Sequence, residues 1–126
     1  MTNENRHAAR DAFLVLPVEF FIESVSNALA RFGFGYNDYI CIFGQDPETD
    51  PGEEFDGVRV SLLGEEYTMP ELDLFEGLMD ACIYILSRHP GTEPELKIKI
   101  ATVAKEIRKL RDLQANREVA REQGQH

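Results

Sequence analysis

The fold is decided by residues 33–64, GFGYNDYICIFGQDPETDPGEEFDGVRVSLLG, in the middle of a chain of 126 residues. Tyr39–Phe43 carries β-branched and aromatic residues and is apolar on both faces, which predicts a buried strand. From Val58 to Leu62 apolar and polar residues alternate, which predicts a half-buried strand. Gly64-Glu65 suits a two-residue hairpin turn, so a third short strand is expected at Glu66–Met69.

Amphipathic helices are predicted on both sides of this stretch. The first covers about residues 17–32, the second begins at Pro70, and the third begins after Thr92. The sequence therefore predicts a single α+β domain over residues 1–126. In this domain, a three-stranded antiparallel β-meander packs against an N-terminal helix and two C-terminal helices.

Less regular structure is expected at the two ends of the chain. Residues 1–10 are polar, and beyond residue 113 the apolar positions become sparse. Residues 1–10 and about 118–126 are therefore expected to be flexible. Between the N-terminal segment and the first predicted helix lies Phe13–Leu16, which is either a short strand or a lead-in to the helix. The run is too short for its periodicity to decide between the two.

The charge of the chain is distributed unevenly along the sequence. Residues 45–80 contain twelve acidic residues and one basic residue, Arg59, whereas residues 97–121 contain eight basic and three acidic residues. The acidic middle repels free nucleic acid, so direct binding to a phosphate backbone is not expected. A basic protein partner is the natural complement of this region. The alternative is that the charge serves only solubility.

Most of this charge density lies in residues 45–56, which we call the acidic loop. It connects the first two predicted strands, is interrupted by prolines, and contains no Lys or Arg. Its six carboxylates belong to Asp46, Glu48, Asp50, Glu53, Glu54 and Asp56. Together with Glu65 and Glu66 at the neighbouring hairpin, they can accept charge-assisted hydrogen bonds from a partner's Lys and Arg. Tyr36 is a candidate aromatic anchor, with packing in the core as the alternative.

The acidic loop matches a calcium-binding EF-hand loop only in part. Asp46, Glu48 and Asp50 agree with its positions one, three and five. However, Pro51 stands where the motif requires Gly, and Gly57 stands where it requires the bidentate Glu. The sequence therefore predicts no metal site in the loop.

No arrangement of residues typical of catalysis or of a cofactor site is found. None of His7, His89 and His126 has a nucleophile, a carboxylate pair or a metal ligand at a suitable spacing. Cys41 and Cys82 lie in apolar segments and are predicted to be buried free thiols. An enzyme is therefore not expected, and neither is a bound cofactor.

The sequence also lacks the signals of a membrane or exported protein. No apolar run approaches the roughly 18 to 20 residues that span a bilayer. The polar N-terminal segment does not resemble a signal peptide. A cytoplasmic location and no membrane partner are therefore expected.

Three segments around the acidic loop resemble a known family. They are Gly33-Phe34-Gly35-Tyr36-Asn37-Asp38-Tyr39, then Phe43-Gly44, and, after the loop, Phe55-Asp56-Gly57-Val58-Arg59-Val60-Ser61. The pattern resembles the small bacterial immunity proteins of contact-dependent growth inhibition systems, in particular those paired with ribonuclease toxins. The similarity extends from Leu16-Pro17 to about Pro90, so the basic helix beyond Leu96 lies outside it.

The resemblance implies a cytoplasmic inhibitor without enzymatic activity. Such a protein binds the basic C-terminal nuclease domain of its cognate toxin, as a monomer in a 1:1 complex, and blocks its active site or RNA groove. The expected contacts are the six carboxylates of the acidic loop, with Glu65, Glu66 and Tyr36. Weaker candidates are the acids of the second predicted helix, Glu71, Asp73, Glu76 and Asp80. The alternative is a self-associating structural or regulatory domain that acts through its C-terminal helix.

Overall fold

Four helices and four strands make up the protein, whose computed structural model describes residues 4–123. In chain order they are α1 (Glu4–Leu14), α2 (Val18–Leu29), β1 (Phe34–Tyr36), β2 (Tyr39–Phe43), β3 (Val58–Leu62), β4 (Glu65–Met69), α3 (Glu71–Arg88) and α4 (Glu93–Gln123). A short 3₁₀ turn at Pro90–Thr92 precedes α4. This is a single α+β domain, as the sequence predicted.

The sheet has four antiparallel strands in the order β1-β2-β3-β4, so the prediction of three strands was wrong. The additional strand, β1, pairs with β2 and places Gly35 opposite Ile40. It has three residues with glycine in the middle, which is too short for an alternating pattern to be recognised. Asn37, with a positive φ of 54°, and Asp38 form the tight connection between β1 and β2.

The hairpin between β3 and β4 turns one residue earlier than predicted. Leu62 pairs with Glu65, so the turn residues are Leu63 and Gly64 rather than Gly64 and Glu65. Both turn residues have positive φ angles, 49° and 88°, as a type I′ hairpin turn requires. Leu63 is an unusual residue for this conformation, and its side chain is exposed.

Helix α1 occupies residues that were predicted to be flexible or extended. Residues 4–10 belong to this helix, as do Phe13 and Leu14, whereas residues 1–3 lie outside the described part. Its buried side is made largely of alanines, and a Cβ at Gly77 of α3 would lie only 2.6 Å from the Cβ of Ala9. The two helices therefore touch through small residues. This helix was missed in the sequence because it lacks a stripe of large apolar residues at helical spacing.

The helices cover only one face of the sheet. On that face, Cys41, Phe43, Val58 and Val60 are buried against a core that includes Phe13, Phe21, Phe75 and Leu78. On the opposite face, successive strands present Ile40, Ile42, Arg59, Ser61, Glu66 and Thr68, which we call the open face. Most of these residues are exposed to solvent, which shows that none of the described helices covers this face.

Helix α4 packs on the body through its first half and extends beyond it in its second half. Leu96, Val103 and Ile107 are buried, whereas every residue from 111 to 120 is exposed. The helix continues to Gln123, so residues 118–123 are helical where flexibility was predicted; residues 124–126 lie outside the described part.

Candidate functional site

The acidic loop leaves the sheet through a neck that extends the β2–β3 ladder. The Gly44 N–H donates to the Gly57 carbonyl (2.9 Å), and the Phe55 N–H donates back to the Gly44 carbonyl (3.4 Å). Gly44 must be glycine here, because a Cβ would lie 1.8 Å from the Phe55 carbonyl oxygen. Gly57 has a φ of 86°, which also favours glycine. The two glycines therefore fix where the loop begins and ends.

Two of the loop carboxylates hold the loop in shape. Asp46 accepts hydrogen bonds from the N–H groups of Gly33 (3.1 Å) and Glu48 (2.8 Å), so it ties the loop to the segment before β1. Glu54 accepts a hydrogen bond from the Gly52 N–H (2.9 Å). Asp46 is half-buried, and both of its oxygens are engaged. We therefore regard Asp46 as a residue that shapes the loop.

The other four loop carboxylates have no such partners. Glu48, Asp50, Glu53 and Asp56 are exposed, and their side chains form no hydrogen bond or ion pair with any residue in the described range. The backbone between them is turned by hydrogen bonds such as that from the Glu53 N–H to the Asp50 carbonyl (3.0 Å). A shaped loop thus presents several unpaired negative charges to solvent, which suits it to receive cationic groups.

Phe55 connects the acidic loop to the open face. The guanidinium of Arg59 lies over its ring, with Cζ 4.0 Å from the ring centroid. Arg59 pairs with Ile42 in the sheet, so the Phe55 ring reaches the open face through a side chain that neighbours Ile42. Arg59 is the one basic residue between positions 45 and 80, and the loop holds it against an aromatic ring.

The remaining predicted contacts are divided between the two faces of the sheet. Glu66 lies on the open face, opposite Ser61, and is exposed. Glu65 lies on the helix-covered face, where it accepts a hydrogen bond from the Tyr67 hydroxyl (2.9 Å). Tyr36 also lies on that face, half-buried, with its ring 6.4 Å from that of Phe20. Of these three residues, Glu66 therefore belongs to the open face, whereas Glu65 and Tyr36 lie on the other face of the sheet.

The weaker candidates on α3 are engaged inside the fold. Asp80 receives two hydrogen bonds from Arg6, and this hydrogen bonding, together with the positive charge of Arg6, holds the pKa of Asp80 below its usual range. Glu76 contacts Arg6 and also Arg111 of α4. Asp73 accepts a hydrogen bond from Asn5 (3.2 Å). These acids connect α3 to α1 and α4.

Glu71 is the fourth of these acids, and it belongs to a cluster centred on Arg31. The Arg31 guanidinium binds the carboxylates of Glu71 (2.8 Å) and Glu106, and it lies over the Phe75 ring. Arg31 itself has a φ of 64°, an uncommon conformation for a residue other than glycine. The cluster joins the end of α2 to the beginning of α3 and the middle of α4. Its ion pairs therefore have a structural role.

The basic end of α4 is not paired with the acidic loop in the described part of the chain. Arg111 binds Glu76, and Lys109 and Arg117 line a groove of about 760 Å³ that Asp56 also lines. Within residues 4–120, no ion pair joins a lysine or arginine of α4 to a loop carboxylate. The loop charges are thus left available to a partner.

The two cysteines lie in the core and have the properties of inert thiols. Cys41 and Cys82 are free and buried, and burial raises the pKa of each to about 12. A thiol with so high a pKa is a poor nucleophile at neutral pH. Among the described residues, no group of three or more His, Cys, Asp or Glu side chains is placed to hold a metal ion.

The open face is the feature that sequence reasoning missed. Tyr39–Phe43 was predicted to be buried on both sides, yet Ile40 and Ile42 are 44% and 46% exposed. Their apolar character gave the signal, but it was interpreted as evidence of a buried strand. Only the packing of all the helices on one side shows that these two isoleucines face solvent.

Comparison with known proteins identifies the family. A family model described as CDI (contact-dependent growth inhibition) immunity protein matches residues 6–100, which cover most of the chain, from α1 into the first turns of α4. A search of curated proteins found no match. No helix in the described part has both the length and the hydropathy that a membrane span requires. The chain therefore belongs to the contact-dependent growth inhibition immunity protein family.

Proposed function

We propose that this protein neutralises a contact-dependent inhibition toxin by binding the basic ribonuclease domain at its C-terminus. Membership of the immunity family supports immunity to such a toxin, and proteins of this kind are generally not enzymes. In the proposed complex, one copy of the protein binds one toxin domain and covers its active site or RNA groove. The complex forms in the cytoplasm, where the RNA substrates of the toxin are found.

The observation that carries this proposal is the acidic loop, a shaped loop with unpaired carboxylates. A nuclease that binds RNA phosphates needs a basic surface. Because hydrogen bonds hold the backbone of the loop in shape before binding, the backbone loses little conformational freedom when the loop meets that surface. Complementary charge also steers the two proteins together and raises the association rate. The proposed contacts are Glu48, Asp50, Glu53, Glu54 and Asp56, with Glu66 at the edge of the sheet.

Charge reversal in the loop tests this proposal. We expect the double variant E53K/E54K to bind the toxin domain encoded beside this protein at least about tenfold more weakly, mostly through slower association. The matched control is E93K/E95K, which makes the same change in charge at two exposed residues in the first turn of α4. Helix α3 begins next to the neck of the loop and is about 27 Å long. Helix α4 begins shortly after the far end of α3, so the control site in its first turn lies far from the loop.

The two variants give distinct outcomes in calorimetry and in an RNA-cleavage assay. The proposal requires that E53K/E54K protect RNA poorly while E93K/E95K protects it as wild type does. If both variants bind like wild type, the acidic loop is not part of the interface. Melting temperatures measured on both variants separate a loss of binding from a loss of folding.

The alternative, self-association through the C-terminal helix, is favoured by one observation. Residues 111–120 of α4 are all exposed to solvent, although Arg111 is paired with Glu76 of α3. A chain that ends at Asp112 removes residues 113–120 of this segment but keeps the buried Val103 and Ile107. If sedimentation shows a dimer for the full chain and a monomer for the shortened chain, the segment acts in self-association.

A further inference from the structure

The open face exposes apolar side chains that no described helix covers. Strand β2 is an inner strand, and its inward residues Cys41 and Phe43 are almost fully buried. Its outward residues, Ile40 and Ile42, remain nearly half exposed. Threonine at these positions would satisfy the preference of strands for β-branched residues without exposing apolar surface. Two neighbouring isoleucines in the centre of a solvated sheet face therefore favour a binding role.

The acidic loop and the open face form one continuous surface. Phe55 belongs to the loop, yet its ring packs under Arg59, which lies on the open face beside Ile42. On the edge strand, the exposed carboxylate of Glu66 borders Ser61 and, through it, Ile40. An apolar centre is thus bordered by Glu66 on one side and, through Arg59 and Phe55, by the acidic loop on another, which is the usual arrangement of a protein interface with a polar rim.

The geometry points to the open face as the apolar centre of the toxin-binding surface, with the acidic loop as its charged rim. This inference rests on the proposed function and specifies which part of the molecule supplies the apolar contacts. Its occupant is a basic protein surface with an apolar patch, of the kind that the toxin domain would present beside its RNA groove. Ile40 and Ile42 are the anchors, and the loop carboxylates set the association rate.

Charge decides between this occupant and the others. A second copy of the chain would bring two acidic rims together, each belonging to a protein with a net charge of −10. Nucleic acid would meet the same rim and be repelled. A basic protein gains from the rim and from the apolar centre at once, because both parts of the surface favour it.

The double variant I40T/I42T tests the inference by calorimetry against the toxin domain. Threonine keeps the β-branched shape of the strand residues and removes apolar contact area. We expect affinity to fall at least about tenfold, mainly through faster dissociation, with the salt dependence unchanged. The matched control is I83T/I98T, which alters two exposed isoleucines on α3 and α4 and is expected to bind as wild type does.

A second variant keeps the test independent of folding. T68Q places a longer, uncharged side chain at an exposed edge position of the open face, where it replaces no buried group and puts no second cation opposite Arg59. It is expected to weaken binding while the melting temperature stays at the wild-type value. Normal binding by both T68Q and I40T/I42T would overturn the inference.

The remaining outcomes separate this inference from the function on which it rests. If E53K/E54K weakens binding but I40T/I42T does not, the proposed function stands and the open face is not its apolar centre. If wild-type protein does not bind the toxin domain at all, both fail together. A dimer of the free protein that dissociates in I40T/I42T would identify a second copy as the occupant and overturn the choice of a basic partner.

Discussion

The guanidinium carbon of Arg59 lies 4.0 Å from the centroid of the Phe55 ring, and this contact attaches the acidic loop to the sheet. Arg59 belongs to β3, whereas Phe55 belongs to the loop that precedes it. The contact therefore holds the last part of the loop beside the open face.

A double-mutant cycle on this pair is expected to show a favourable coupling. A cation over an exposed aromatic ring contributes about 0.5–1 kcal/mol, so F55L and R59Q should couple by that amount. The coupling is obtained from urea unfolding of the two single variants and the double variant. If the effects of the single variants simply add, the contact does not hold the loop.

Arg31 is expected to be the most sensitive charged residue for stability. Removing it in R31A leaves the partly buried carboxylates of Glu71 and Glu106 without their cation. We expect the free energy of unfolding to fall by about 2–4 kcal/mol, somewhat below the range for a fully buried pair. The control R10A, which breaks a surface pair with Asp11, should change it by less than about 1 kcal/mol. Equal effects of the two variants would contradict the structural role of the Arg31 cluster.

The pair of Asp80 and Arg6 predicts a loss of stability in acid. Because Arg6 lowers the pKa of Asp80 in the folded state, the contribution of the pair is fully present above the unfolded value of about 3.9. It is lost as the pH falls from there through the folded value. In urea unfolding between pH 5 and pH 2, wild type should therefore lose its advantage over D80N. D50N, which removes an exposed loop carboxylate, is the control. A difference in free energy of unfolding between wild type and D80N that stays constant with pH would refute the prediction.

Leu63 is expected to be a position where substitution stabilises the protein. It has a φ of 49° in the hairpin turn, a conformation that asparagine adopts more readily than leucine. L63N should raise the free energy of unfolding by about 0.5–1 kcal/mol in urea denaturation. L63A also removes the exposed side chain but keeps the unfavourable φ, so it should show no such gain. Equal gains in both variants would mean that the backbone conformation is not the cause.

The sequence was sufficient to predict the elements that have a readable period. The alternation at Val58–Leu62 and the apolar stripes of the later helices predicted β3, α2, α3 and the first half of α4. It did not reveal α1, whose buried residues are mainly alanines that contact Gly77, or β1, which has three residues. In both cases the element is stabilised by contacts with distant parts of the chain rather than by its own pattern.

The candidate site shows the same limit. The acidic loop was recognisable from its composition, but the division of its acids into structural and unpaired groups was not. Asp46 bonds to Gly33, and Asp80 of α3 bonds to Arg6, which is 74 residues away. Spacing along the sequence does not reveal such partners. The open face depends on which side of the sheet the helices occupy, and no local pattern carries that information.

The most direct test of the central claim is a calorimetric titration of this protein into the toxin domain encoded beside it, at low and high salt. RNA cleavage by the toxin domain is measured in parallel. The account predicts a 1:1 complex that weakens as salt rises and that abolishes cleavage at one equivalent. Absence of binding, or binding that is indifferent to salt and leaves cleavage intact, would contradict it.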